Sequence, residues 1–299
     1  MQTLIHVGQV VNLRPIVNRP FNVPSLPAAI AIALLSASSL WSQGAPYSPY
    51  WQPPVLKGQP LTRLPDGHPD VTGYWASRFN QSIFEVQNHP VAKPGIGPGK
   101  GSVVDPADGL IPYKPEAKAK ALDLGANHMF EEPEAHCFQS GVPHSAYQQF
   151  AFQLTQSPGY FIISFEYAHS IRIIPLDNRK HLASDVKLFM GDSVGHWEGD
   201  TLVVETTNQN GKTWFDMAGN FTTPNLQVVE RITPVDTDNI SYESTVTDPT
   251  IYTQPWKIAG TWGRNRLPNY EQMEFACLEG NQDLQHYIQE TGGSQKKVR

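Results

Sequence analysis

The chain has 299 residues and a formal charge of −6 at pH 7, with only 17% of its residues charged. Binding to phosphate backbones needs clustered Lys and Arg, and the one such cluster is the terminal Lys296-Lys297-Val298-Arg299, so nucleic acid is excluded as a partner. The 26 prolines, 23 glycines and 10% aromatic residues exclude a helical bundle and point to a turn-rich sheet protein with one large β domain.

Arg14 and Arg19 precede an apolar stretch, AAIAIALLSASSLW at 28–41, that is short for a bilayer span and is followed by small residues. Residues 1–45 read as a signal peptide or, because the positive region sits far from Met1, as an uncleaved anchor. Either reading sends the protein out of the cytoplasm, secreted or periplasmic, and a membrane is a partner only through this segment. Residues 46–70 are Pro-rich and aperiodic, an extended lead-in expected to lie on the domain surface and to carry no chemistry.

Residues 71–78 (VTGYWASR) read as the first strand, and 87–115 as a long Pro- and Gly-rich loop. Pro115 followed by EAKAKALDLGA predicts a short helix with Gly125 as its stop. Beyond residue 148, QFAFQLTQ, GYFIISFEY and HSIRIIPL alternate as paired strands. VGHWEGD and TLVVETTN follow around a tight turn at 198–200, then LQVVERITPV, DTDNISYESTV, YTQPWKIAGTW and YEQMEFACLEG. Nine or ten strands in near-sequential order form a meander. A meander that long tends to close on itself to remove its edges. The predicted fold over 71–290 is therefore mainly β, an antiparallel calycin-like (lipocalin-like) barrel with one or two short helices. A β-sandwich is the alternative, and 291–299 are read as a disordered tail. Gly73-Tyr74-Trp75, placed ahead of the meander, resembles the Gly-x-Trp opening of lipocalins, in which Trp plugs the barrel bottom.

The two cysteines, Cys137 and Cys277, are an even count that favours one disulfide in an oxidising compartment, two buried thiols being the alternative.

The run Met190-Gly-Asp-Ser-Val-Gly-His-Trp-Glu-Gly-Asp-Thr-Leu-Val-Val-Glu-Thr-Thr-Asn208, with HSIRIIPLDNRKHL before it and KTWFD, VVERIT, DPTIYTQPW and ACLEGN after it, resembles a large uncharacterised family of exported bacterial proteins over roughly residues 60–290. The resemblance implies export and a shared fold, with no assigned reaction. The chain departs from that pattern at His144, where the family has Arg after Gly-Val-Pro, and at Leu278, where it has His after Cys.

The densest polar cluster is Asp192, Ser193, His196, Glu198 and Asp200. Positions 196 and 198 share one strand face, so an imidazole and a carboxylate are expected to project together into a barrel cavity as a general acid–base pair. The bland alternative assigns Glu198 and Asp200 to the turn. Glu230, flanked on its face by Val228 and Ile232, is the best candidate for an inward carboxylate. It then needs a partner such as Arg172 or Arg231, or carries a raised pKa. The catalytic candidates are thus His196 and Glu230, then His169, with Arg172, Trp197, Tyr252 and Trp256 as substrate-binding candidates. No metal is expected, because no histidine pair has ligand spacing, and no cofactor is expected. Gly191-Asp192-Ser193-Val194-Gly195 has the letters of a nucleophile elbow, but a strand rather than a helix follows it. The leading expectation is a small-molecule enzyme of lyase, isomerase or hydrolase type. The alternatives are a lipocalin-like carrier and a cell-surface interaction domain.

Overall fold

A computed structural model describes residues 58–79, 82–89 and 99–290. The signal or anchor segment, the lead-in up to residue 57 and the tail 291–299 lie outside the described residues. The chain divides into two compact units, Met1–Ser48 and Pro49–Arg299, and the described residues all belong to the second.

Among the described residues, ten strands form one antiparallel sheet: β1 (Gly73–Ser77), β2 (Val103–Asp105), β3 (Phe152–Ser157), β4 (Tyr160–Phe165), β5 (Ile171–Pro175), β6 (Asp192–Glu198), β7 (Thr201–Thr207), β8 (Gln227–Asp236), β9 (Asn239–Thr247) and β10 (Trp256–Arg264). The hydrogen-bonded order is β5-β4-β3-β1-β10-β9-β8-β7-β6, with β2 beside β10. β1 lies between the last strand and β3, so the meander curls into a nearly closed calycin-like barrel with a single seam, between β5 and β6. Side chains seal that seam. Arg172 Nε donates to Ser193 Oγ at 2.9 Å, and Gly195 leaves room for Ile174, whose Cγ2 would lie 2.9 Å from a Cβ there.

Alternation along each strand sends one set of side chains inward. Trp75, Phe152, Leu154, Phe161, Ile163, Ile174, Leu202, Tyr242, Trp256 and Trp262 are fully buried and form the core. Trp75 donates to the Val71 carbonyl at 2.8 Å, and the Arg264 guanidinium covers its ring at 4.4 Å, a cation–π contact. The expected buried tryptophan of the first strand is in place.

Three elements differ from the sequence expectation. Within 87–115, read as a long loop, Val103–Asp105 forms the short strand β2 and pairs with β10. The segment 270–280, read as a closing strand, is irregular and crosses the outside of β4: Gln272 Nε2 donates to the Ser164 carbonyl, Tyr270 Oη to Glu166, and the Phe275 amide to His169 Nε2. The reason is topological, since β1 already occupies the edge of β10 that an eleventh strand would need. The helix α1 (Pro115–Asn127) runs two residues past Gly125. There the absent side chain serves close approach rather than termination, because a Cβ would collide with the Ala218 carbonyl. α1 buries Ala117 and Ala121 against Trp214 and Phe221. A second helix, α2 (Asp283–Glu290), ends the described chain. Among the described residues no helix is long and apolar enough to cross a membrane.

Cys137 and Cys277 form a disulfide with Cα atoms 5.7 Å apart. It fastens segment 270–280 to the loops ahead of β3.

Candidate functional site

Inside the barrel, β5 and β8 face each other with a charge apiece. Arg172 Nη1 donates to Glu230 Oε1 at 2.9 Å, and Nη2 both pairs with Oε2 and donates to Thr206 Oγ1 at 2.7 Å. Tyr242 Oη donates to Glu230 Oε1 at 2.8 Å, and Ser193 Oγ lies 3.0 Å from Thr206 Oγ1. Glu230 is 0% and Arg172 4% exposed. The carboxylate expected to point inward does so, with Arg172 as its partner. The guanidinium and the carboxylate satisfy each other, which is what burial of two charges demands.

His196 stands elsewhere. It does share a face with Glu198, Nε2 to Oε1 at 3.4 Å, and Arg231 Nη1 reaches Glu198 Oε2 at 2.9 Å. That face is the outside of the barrel, with the His196 side chain 42% exposed, so the expected projection into a cavity is corrected. β6 sends Ser193, Gly195 and Trp197 inward, and 196 and 198 must then face out. Glu198 is held below its ordinary pKa by Arg231 first and His196 second. His169 is exposed and accepts from the Phe275 amide at 3.1 Å, beside an open groove lined by Ser164, Ile171 and Met273. Tyr252 and Trp256 are buried, pack edge to face on each other and belong to the core. The structure therefore does not bring His196, Glu230 and His169 together; of the aromatic candidates, Trp197 lines a recess, while Tyr252 and Trp256 belong to the core. Among the described residues no group of three His, Cys, Asp or Glu side chains is arranged to hold a metal.

The recess at Trp197 is a formed candidate site. It has a volume of about 500 Å³ and lies at the barrel end formed by the β3–β4 and β6–β7 turns, in the size range of small-molecule pockets. Phe161, Leu176 and Trp197 form its barrel side; Leu64, Pro65, Asp66 and His68, from the lead-in, form the other. The lead-in was expected to carry no chemistry, and here it builds half of a pocket. Its residues 62–70 fold back on themselves, the Leu64 amide donating to the His68 carbonyl and the Asp70 amide to the Thr62 carbonyl. Three contacts fix this loop to the rim. Arg63 makes a two-pronged pair with Asp200, at 2.7 and 2.8 Å. Gln156 Oε1 accepts from the Val71 amide while its Nε2 donates to the Pro69 carbonyl. The His68 ring stacks on Trp197 with centroids 4.7 Å apart and planes inclined by 20°.

Electrostatics complete the recess. His68 Nδ1 lies 3.3 Å from Asp66 Oδ2, and the His68 amide donates to Asp66 Oδ1 at 3.1 Å. Asp66 is held below the ordinary carboxylate pKa, first by that amide and then by the imidazole. Asp200 is lowered by Arg63. Sequence reasoning missed Arg63, Asp66 and His68. The one signal was the Asp66-Gly67-His68 turn, in a stretch whose prolines announced only an extended chain.

The far end of the barrel holds a different cluster. Asp216 Oδ2 accepts from the Val86 amide at 2.8 Å and from Asn220 Nδ2 at 2.7 Å, and the same Asn220 nitrogen reaches Glu85 Oε1 at 3.3 Å. Burial first, and the nearby Glu85 charge second, push the Asp216 carboxyl up to about 7 against those donors. Within the family-like motif, Asp192 accepts from both Arg179 and His181, the latter at 2.8 Å, and anchors loop 179–182. Burial alone would raise its pKa, and those bonds outweigh it and lower the group.

Fold and site together define a nearly closed antiparallel barrel with an aromatic recess at one rim and a saturated ion pair inside. Comparison with protein-family models, with curated proteins and with solved structures found no match to the chain.

Proposed function

We propose that the protein is an exported binder of small planar molecules, which seat in the rim recess against Trp197. The observation that carries this reading is the loop 62–70, fastened by Arg63–Asp200 and stacked through His68 on Trp197 above a recess of about 500 Å³. A preformed, largely apolar wall with a few placed polar groups is what small-molecule recognition uses. Export is supported by the apolar stretch at 28–41, by the resemblance to an exported family and by the Cys137–Cys277 disulfide, a bond that persists in oxidising compartments. A second reading, an acid–base enzyme of lyase, isomerase or hydrolase type, is favoured by the Asp66–His68 pair at the same recess.

The test is to incubate the purified protein and its Trp197→Ala variant with an extract of the host and follow small molecules by mass spectrometry. Retention of a planar compound by the wild type alone, near one per chain and released on denaturation, supports binding. Consumption of a compound in large molar excess moves the reading to the enzyme. Equal behaviour of the two proteins overturns the recess as the site.

A further inference from the structure

We infer that segment 270–280 is an acid-released strap, latched to the barrel wall by a hydrogen bond that His169 accepts only while its imidazole is neutral. The latch lies on the outside of β4 and is independent of the rim recess.

One bond sets its chemistry. The Phe275 amide donates to His169 Nε2 at 3.1 Å, and a backbone N–H can only donate, so Nε2 is the bare nitrogen of the ring. Protonation makes both ring nitrogens donors and leaves the Phe275 amide facing an N–H. Two further side-chain contacts of the strap survive acid. Gln272 Nε2 donates to the Ser164 carbonyl at 2.9 Å, a pair that does not titrate. Tyr270 Oη donates to Glu166 Oε2 at 2.8 Å, and a carboxyl keeps an accepting oxygen when it is protonated.

The groups around the ring leave it in charge of the latch. On its own turn stand Glu166, whose pKa burial raises against the donations of Tyr270 and the Met273 amide, and Tyr167. The strap brings Tyr270 and Glu274, the latter lining the same groove as His169. β4 and β5 bring Ser164, Phe165 and Ile171, which carry no charge, while Arg172 is turned inward to Glu230. None of these restores an acceptor to a protonated imidazole. The turn itself is held at a cost, because Ala168 and His169 take successive positive φ angles of 53° and 48°, a region that disfavours residues with a Cβ. Loss of the Phe275 bond removes part of what holds it.

Phe275 packs on Phe150 and Tyr167, with ring centroids 4.8 and 4.9 Å away. Release lifts it off these rings and widens the groove whose strap side is Gln272, Met273 and Glu274. The Cys137–Cys277 disulfide keeps the strap attached near its other end, so the opening is reversible.

The test is amide hydrogen exchange of the full-length protein, read residue by residue by NMR from about pH 8 to about pH 5, the range in which histidine ordinarily changes charge. Rates are corrected for the intrinsic pH dependence of exchange, and the ring nitrogen resonances of His169 are followed in the same samples. Protection of the Phe275 amide should fall about tenfold, one hydrogen bond's worth, at the pH where Nε2 takes its proton, while the β9 amides stay protected. His169→Gln supplies an acceptor at every pH and should keep Phe275 protected throughout, and Glu166→Gln should leave the wild-type transition in place. Protection that stays constant while the ring titrates, a ring that takes no proton in this range, or a transition that persists in His169→Gln overturns the inference. Loss of β9 protection in step with Phe275 overturns it too, since the whole barrel is then opening. The wild-type comparison of ring and amide decides the question without the variants, should they fail to fold.

Discussion

His68 and Trp197 lie face to face across the mouth of the rim recess, one from the Pro-rich lead-in and the other from β6. The lead-in is thereby a structural part of the barrel end. One of the three contacts that keep it there is an ion pair at the surface, and that sets the first prediction. Arg63→Ala, or Asp200→Asn, should leave the melting temperature nearly unchanged, because the two side chains are 47% and 43% exposed and exposed pairs add little to stability. The loop itself should loosen. Amide hydrogen exchange at Leu64, Gly67 and Asp70, whose bonds close the loop, is the readout, and unchanged protection would mean that stacking and Gln156 hold it without the ion pair.

The barrel interior predicts the opposite balance. Glu230→Gln leaves the Arg172 charge buried with weakened compensation and should cost about 3 to 5 kcal/mol in chemical denaturation. Replacing both groups, Arg172→Met with Glu230→Leu, removes the charges together and should be markedly less harmful than the sum of the single changes. A double variant as unstable as that sum would show that the pair is not acting as a unit.

The carboxyl pair at the far end makes a statement about pH. Asp216 binds its proton up to about pH 7 in the folded state, against about 3.9 for an unperturbed Asp. A raised carboxyl means that the folded chain holds more protons than the unfolded one between those values. Its stabilising contribution is whole below about pH 4 and is lost as pH rises through about 7. Glu85→Gln removes the second-largest cause of the shift, and stability measured from pH 4 to 8 should then fall less steeply than in the wild type. The comparison between the two proteins is what counts, since Asp66, Asp192, Glu198 and Asp200 are lowered groups that act in the opposite direction at more acid pH.

The disulfide closes a separation of 140 residues. On chain-entropy grounds a loop of that size is worth about 5 kcal/mol. Cys137→Ala with Cys277→Ala should lower the denaturation midpoint accordingly, and an added reductant should reproduce the loss in the wild type without further affecting the variant.

Much of this architecture was legible in the chain. Alternation of apolar and polar residues in QFAFQLTQ, GYFIISFEY and LQVVERIT reports strands directly, since a pleated strand with one buried face has no other pattern. Val228 and Ile232 flanking Glu230 on its face marked that carboxylate as a candidate for pointing inward, and burial of its charge called for a partner; between Arg172 and Arg231 the sequence left the choice open, and the fold supplies Arg172. The His196 side was not legible. Positions 196 and 198 do share a face, but period-two spacing cannot say which face meets the core, and the inward set of β6 was fixed by Ser193 meeting Arg172 across the seam.

The amino-acid sequence by itself determined most of the strands, the meander and the candidate inward charge, because these follow from local periodicity and from the cost of burying polar groups; it favoured the pairing of its two cysteines through their even count. Only the tertiary structure decided that residues 62–70 fold over the barrel end and that Trp197, Asp66 and His68 meet there. It also placed β1 on the edge of β10, which left segment 270–280 outside the sheet. Contacts between residues far apart in sequence depend on which edges and rims the closed barrel leaves free, and no local pattern carries that information.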